Sequence, residues 1–285
     1  MLNVAIFAKV HDPRCQGVAA ELVTWLEARG CQPLLEAHLA RHLGHPNGLS
    51  EETIREQAGL VVVLGGDGTL ISVARLFSGR EVPILGVNLG SLGFLTEITV
   101  EELYPVLEEC LVAGPRITER MMLEVTVTRD NRELARCEVL NDAVINKGAI
   151  ARIIELEARV NDHFLTTFKA DGLIISTPTG STGYCLSAGG PIVQPLMHCI
   201  VIIPICPHTL TNRPIVISDE SVTRIVVKSS FDEKVYLTLD GQVGVELQEG
   251  DSIEIRRALK TTPLVTSRDK DYFAILRAKL KWGER

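Results

Sequence analysis

Leu60-Val-Val-Val-Leu64, followed at once by Gly65-Gly66-Asp67-Gly68-Thr69, is the stretch whose reading decides the fold. The apolar run reads as a buried strand, and three glycines stop it. Leu70, Val73, Ala74 and Phe77 then fall on one helical face. Strand, glycine-rich turn and helix in that order aim free backbone N–H groups, and the positive end of a helix dipole, at whatever lies above the turn. Phosphate is the usual guest of such a junction. Asp67 is the odd member, because a carboxylate repels phosphate unless it binds a metal or takes a proton. The competing reading is a Gly-Asp-Gly hairpin, which needs a second alternating strand. The helical pattern after Thr69 stands against it.

Outward from this stretch, strand and helix patterns alternate. Strands are expected at Asn3–Ala8, Gln32–Leu35, Leu60–Leu64 and Ile84–Val87, and helices at Gly17–Arg29, Ser50–Gln57, Thr69–Phe77 and Val100–Ala113. Ser50 ahead of Glu51, Glu52 and Thr53 suits a helix start. Apolar strands alternating with helices imply an α/β, Rossmann-like parallel sheet covered by helices. Such sheets bind ligands beyond the carboxyl ends of their strands, where Gly65–Thr69 would lie.

The pattern shifts at Gly114-Pro115-Arg116. Beyond it, period-two runs dominate: Leu123–Arg129, Ala135–Asn146, Ile153–Asn161, Phe164–Lys169, Leu173–Thr177, Ile200–Ile205, Val222–Lys228, Val235–Leu239 and Ser252–Arg256. Short strands spaced by turn residues imply a β-rich, β-sandwich-like second domain. The expected division is therefore an α/β domain over 1–115, a β-rich domain over 116–268, and a C-terminal helical segment over 269–285 that returns to the first domain.

The 285 residues suit one large domain or two ordinary ones. A net charge of −7 argues against a nucleic-acid-binding surface, so an anionic substrate must be held by local groups. Seven cysteines without a C-x-x-C pair fit reduced thiols and a cytoplasmic setting. Met1–Ala8 reads as a first strand rather than a leader, and the apolar run Cys199–Cys206 is too short to span a bilayer. No membrane partner is expected.

Further segments carry chemistry. Asn88-Leu-Gly-Ser-Leu-Gly-Phe-Leu95 follows the fourth strand, and its glycines suit either a loop close to a ligand or an ordinary connection. Thr177-Pro-Thr-Gly-Ser-Thr-Gly-Tyr184 gathers hydroxyls and two glycines on one turn, able to grip phosphate or ribose, or else to cap a helix at the surface. No lysine follows its glycine, so it is not the G-x-x-x-x-G-K-[ST] phosphate loop. Asn141-Asp142 interrupts the apolar run Val139–Ile145, and two buried polar residues need partners, a ribose diol or a β-bulge. Asp240-Gly241-Gln242 between two strand patterns is the expected hairpin turn. His38, His42 and His45 have helical spacing but no neighbouring acid, so a solvated face is expected there and no metal site.

Taken in order, Gly65-Gly66-Asp67-Gly68-Thr69, Asn88-x-Gly-x-Leu-Gly-Phe94, Asn141-Asp142, Asp171-Gly172, Thr177–Tyr184, Pro207-His208-Thr209-Leu210 and Arg213-Pro214 resemble the NAD kinases over nearly the whole chain. The resemblance implies a kinase that phosphorylates the 2′-hydroxyl of the adenosine ribose of NAD to give NADP, with ATP or another phosphoryl donor and Mg²⁺. It also implies a homodimer or homotetramer. By position, Asp67 would be the general base, and Gly65, Gly66, Gly68 and Thr69 the phosphate cradle. Phe94, Asn141, Asp142, Lys169, Asp171, Thr179, Thr182, Gly183, Tyr184 and Gln242 would bind NAD. Asp142 stands where this family more often has Glu, Gly183 where Ala is frequent, and Lys169 where Arg is common. The alternatives are a lipid kinase of the diacylglycerol type, sharing the Asp67 loop, and a non-catalytic NAD(P) sensor. A lipid kinase would typically carry D-G-E at 240–242, and a sensor could do without Asp67.

Overall fold

Leu60–Leu64 is a strand buried along its whole length, and a helix starts at Asp67, as the glycine turn requires. The computed structural model describes residues 1–9, 11–90, 92–148, 153–228, 234–267 and 270–282. Ser91 of the 88–95 loop, and positions 268–269 and 283–285 of the expected C-terminal segment, lie outside them.

The chain divides into two compact units, Met1–Glu119 with Thr262–Arg285, and Arg120–Thr261. The first runs β1 (Asn3–Ala8), α1 (Pro13–Glu27), β2 (Gln32–Glu36), α2 (Ala37–His42), β3 (Gly48–Leu49), α3 (Glu51–Gln57), β4 (Leu60–Leu64), α4 (Asp67–Leu76), β5 (Ile84–Asn88), β6 (Ile98–Thr99), α5 (Val100–Ala113) and β7 (Ile117–Arg120). Its sheet has the order β3-β2-β1-β4-β5 and then continues with strands Thr262–Val265 and Ile117–Arg120. The pairs from β3 to β5 are parallel. Strand order reverses at β1, whose neighbours are β2 on one side and β4 on the other. That crevice is where a doubly wound sheet receives its ligand. Helix α1 buries Cys15, Ala19, Leu22, Val23 and Leu26, the helical-period set, and the last four join the core shared with Val4, Ile6, Val62 and Leu64.

Two starts differ from expectation. Helix α1 begins at Pro13 rather than Gly17, because the Asp12 carboxylate accepts from Arg14 N and proline is pre-set for the first helical position. The short α2 follows β2 directly, since Glu36 caps it by accepting from His38 N and Leu39 N.

The second unit contains β8 (Leu123–Arg129), β9 (Arg132–Val139), β10 (Asp142–Lys147), β11 (Ile154–Val160), β12 (His163–Ala170), β13 (Gly172–Ser176), a 3₁₀ turn at Thr179–Thr182, α6 (Tyr184–Ser187), β14 (Cys199–Ile205), β15 (Ile215–Ser218), β16 (Thr223–Val227), β17 (Val235–Leu239), β18 (Val243–Leu247) and β19 (Ser252–Arg257). They form two antiparallel sheets, β15-β14-β13-β10-β17-β18 and β12-β11-β16-β19-β8-β9. Alternate residues of both, such as Ile145, Ile175 and Leu237 with Val125, Leu156 and Ile255, share one core. The other face of the first sheet buries Val144, Ile174 and Val201 with Cys185 and Val193. A strand buried on both faces shows no alternation, which is why Leu173–Ser176 reads as continuous apolar sequence.

The strand expected over Ala135–Asn146 is two strands. Residues 140–141 form a corner at which the chain leaves one sheet as β9 and enters the other as β10. The parallel sheet of the first unit also takes back β20 (Thr262–Val265), parallel to β5, and α7 (Tyr272–Leu280) follows within the same unit. The two units meet in sequence at 119/120 and 261/262, and β7 and β20 are strands of the sheet of the first unit. No helix among the described residues is long and apolar enough to cross a membrane.

Candidate active site

In the first unit the site is built around Asp67. Gly65 is held to β5 by its N–H on Val87 O (3.0 Å), and Gly66 is the extended N-cap of α4, with no side chain to offer its N–H groups. Asp67 is the first helical residue. Its carboxylate, on a partly buried residue, clamps the loop after β5. Oδ1 accepts from Leu95 N (3.2 Å), Thr96 N (3.0 Å) and Thr96 Oγ1 (2.9 Å), and Oδ2 from Phe94 N (2.9 Å). Asn88 Nδ2 donates to the same Thr96 hydroxyl at 3.0 Å. Gly93 is a glycine because a Cβ there would run into Asp67 Oδ1 and Thr96 Oγ1. The glycine of the 88–95 loop is thus explained by close approach to an acid of the neighbouring turn. Oδ1 has no acceptor capacity left; Oδ2 keeps a lone pair. The Phe94 ring lies 5.5 Å from Lys279 Nζ on α7.

In the second unit the corner at 140–141 gathers Asn141, Asp142 and the 177–184 turn. The residue that organises it is Asp240, which the sequence presents as a hairpin turn. Asp240 and Gly241 do have positive φ, +51° and +66°, as a primed turn requires. The Asp240 side chain, however, is buried, and its carboxylate accepts from Leu140 N (3.0 Å), Asn141 N (2.7 Å) and Asp142 N (3.2 Å). Nothing in an Asp-Gly turn signals that second role. The Asn141 carbonyl takes Thr177 N at 2.9 Å, and a Cβ on Gly180 would collide with it.

The hydroxyl cluster is buried rather than a surface turn, and most of it is scaffold. Thr177 Oγ1 donates to Leu140 O (2.6 Å) and accepts from Gly180 N (3.0 Å); Ser181 Oγ donates to Pro178 O (2.7 Å) and accepts from Val193 N (3.0 Å). Two polar atoms differ. Asn141 Oδ1 and Thr179 Oγ1 are buried with no hydrogen-bond partner among the described residues. Buried orphans of this kind cost about 1–3 kcal/mol each and call for a ligand or water. Beside them, Asp142 is almost wholly enclosed. Burial, and then the charge of Asp240, push its carboxyl up to about 7. The Cys185 thiol is pushed up to about 11 by burial and then by Asp142, so it is inert.

The expected NAD residues fall into separate groups. Asn141, Asp142, Thr179, Thr182 and Gly183 come together, with Tyr184 half exposed at the start of α6. Gln242 is exposed at the end of the Asp240 turn. Lys169 and Asp171 lie at the opposite end of β13, about 20 Å away along the strand. There Lys169 pairs with Glu155 (2.7 Å) and Asp171 with Lys147 (2.8 Å). The His38 and His42 rings lie 4.4 Å apart on α2, tilted by 50°, and no group of three or more His, Cys, Asp or Glu side chains suited to a metal occurs among the described residues.

Residues 4–114 match the family model of the ATP-NAD kinase N-terminal domain, and 140–267 that of the ATP-NAD kinase C-terminal domain. The chain is 80% identical over 285 residues to an NAD kinase of Trichlorobacter lovleyi, and 65% identical over 285 residues to one of Geobacter sulfurreducens, in each case over 100% of both chains. It superposes on yeast NADH kinase complexed with NADH with a TM-score of 0.93 at 28% identity, covering 100% of this chain and 89% of that one. An NAD kinase from Archaeoglobus fulgidus in complex with ATP shares the fold, with a TM-score of 0.78 at 24% identity over 97% and 99% of the chains. These matches define a phosphotransferase. The chain belongs to the NAD kinase family, and its activity is that of an NAD⁺ kinase. The lipid-kinase and sensor alternatives are set aside by that membership.

Proposed function

We propose that this enzyme transfers the γ-phosphoryl group of ATP to the 2′-hydroxyl of the adenosine ribose of NAD. The observation that carries the reading is the pair of buried orphan atoms, Asn141 Oδ1 and Thr179 Oγ1, beside the Asp142 carboxyl. A hydroxyl-rich ligand satisfies all three. Asn141 Oδ1 and Asp142 accept ribose O–H groups, and Thr179 Oγ1 donates or accepts according to its rotor. Thr182, Gly183, Tyr184, Gln242 and Phe94 also contact NAD in this proposal.

The Gly65–Thr69 turn cradles the donor phosphates at the head of α4, with the Gly65 N–H committed to Val87 O and the Thr69 N–H to Gly66 O, so that these two residues shape the turn rather than donate. Asp67 Oδ2 takes the proton of the 2′-hydroxyl, while the Leu95 and Thr96 donors fix Oδ1 and so hold the carboxylate in one orientation. Phosphoryl transfer depends on such in-line positioning and charge neutralisation more than on covalent chemistry. The donor set fits Mg²⁺ entering as part of Mg-ATP, since Oδ1 is saturated and hard oxygen ligands come from the phosphates. The ion supplies neutralisation of phosphate charge. Lys169 and Asp171, too far along β13 to join Thr179 directly, reach NAD in this proposal from a second subunit of a homodimer or homotetramer.

NADP formation from NAD, ATP and Mg²⁺ by the purified protein, read with an NADP-specific dehydrogenase, tests the proposal. Asp67→Asn should lower kcat by about 10²–10⁴-fold while NAD binding largely persists. Undiminished turnover in that variant sinks the general-base role.

A further inference from the structure

A cleft of about 370 Å³ opens beside the phosphate turn, within the first unit. Its position follows from topology. Phe7 and Ala8 bring the carboxyl end of β1 to it, Glu36 that of β2, and Thr69 to Leu76 the helix that follows β4. It therefore sits at the reversal of strand order between β1 and β4, where doubly wound sheets bind nucleotides. Thr69, Ser72, Val73 and Leu76 line it from one helical face, and Thr69 is also the last residue of the phosphate turn. Cleft and turn are thus continuous.

We propose that this cleft seats the nucleoside of the phosphoryl donor, an inference that rests on the kinase reading above. Its wall offers an apolar surface for a base and acceptors for a ribose, with His38 and Arg75 also lining it. Phe7, Leu39, Val73 and Leu76 give apolar surface for a planar base. Glu36 and Glu51 place two carboxylates on the wall, which repel phosphate but accept from hydroxyls. Each Glu36 oxygen accepts one backbone N–H, His38 N at 2.8 Å and Leu39 N at 3.2 Å, and so keeps a lone pair for a ribose hydroxyl. The phosphates then run along α4 toward its N-terminus, one turn away, and the nucleoside fills the cleft. Volumes of about 300–1,000 Å³ are usual for such ligands.

Ser72 is exposed on α4, so Ser72→Phe fills the cleft without disturbing the core, and an unchanged melting temperature verifies this. The variant should raise the KM for ATP by about tenfold or more, with the KM for NAD moving by less than about twofold. Calorimetric titration with the β,γ-imido analogue of ATP should show the same loss of affinity. An unaltered KM for ATP with unaltered analogue binding overturns the proposal. So does a selective rise in the KM for NAD, which would give the cleft to the acceptor. Wild-type protein that binds the analogue but forms no NADP, with binding lost in Ser72→Phe, would keep the cleft and refute the transfer reaction instead.

Discussion

Asp142→Asn should make this protein more stable at pH 8 and poorer at binding NAD. Asp142 is 5% exposed, and its neighbours include Asp240 and the Cys185 thiol. Burial first, and Asp240 second, raise its carboxyl from the ordinary 3.8 to about 7. Between those two pH values the folded protein holds a proton that the unfolded chain has released. Stability is therefore fully present below pH 3.8, falls as pH rises, and is lost through pH 7. At about 1.4 kcal/mol for each pH unit, the interval is worth about 4 kcal/mol. An amide carries no such cost. Urea unfolding of wild type and Asp142→Asn at pH 5, 6, 7 and 8 reads the difference directly. The two should converge toward low pH, with the variant ahead by several kcal/mol at pH 8. Parallel curves over this range would refute the reasoning, because they would mean that Asp142 titrates alike in both states. NAD affinity should fall in the variant, since one acceptor oxygen replaces two. Binding strength at the site and stability of the fold would then be seen to oppose each other at a single residue.

Gly93→Ala should push Asp67 and Thr96 apart, because the added methyl occupies the space of both oxygens. A fall of about 100-fold in kcat is expected in steady-state assays, with the KM for NAD little changed; full activity would show that the loop clamp on Asp67 is dispensable. Asp251 is fully buried and accepts from Arg129 Nε and Nη2, both at 2.8 Å, and from Gln248 N at 2.8 Å. Asp251→Ala strands the Gln248 N–H and removes the pair with the partly exposed Arg129, and should cost about 1–3 kcal/mol in urea unfolding.

The sequence by itself determined the parallel half of the fold, because glycine punctuation and helical period are local signals. β1, β4 and α5 fall where their residues place them, and Asp67 stands out as an acid in a phosphate turn. The β-rich half was legible as strands, but one run over Ala135–Asn146 hid a corner between two sheets. Periodicity records which face a residue shows and not which sheet it joins. Only the tertiary structure decided what the polar residues do. Asp240 is a turn residue in sequence and the anchor of three backbone N–H groups in space, one hundred residues from Leu140. Most hydroxyls of the 177–184 cluster serve the backbone, leaving Thr179 Oγ1 and Asn141 Oδ1 as orphans. The physical reason is that a polar side chain takes its role from the partners burial brings to it, and those partners are distant in the chain.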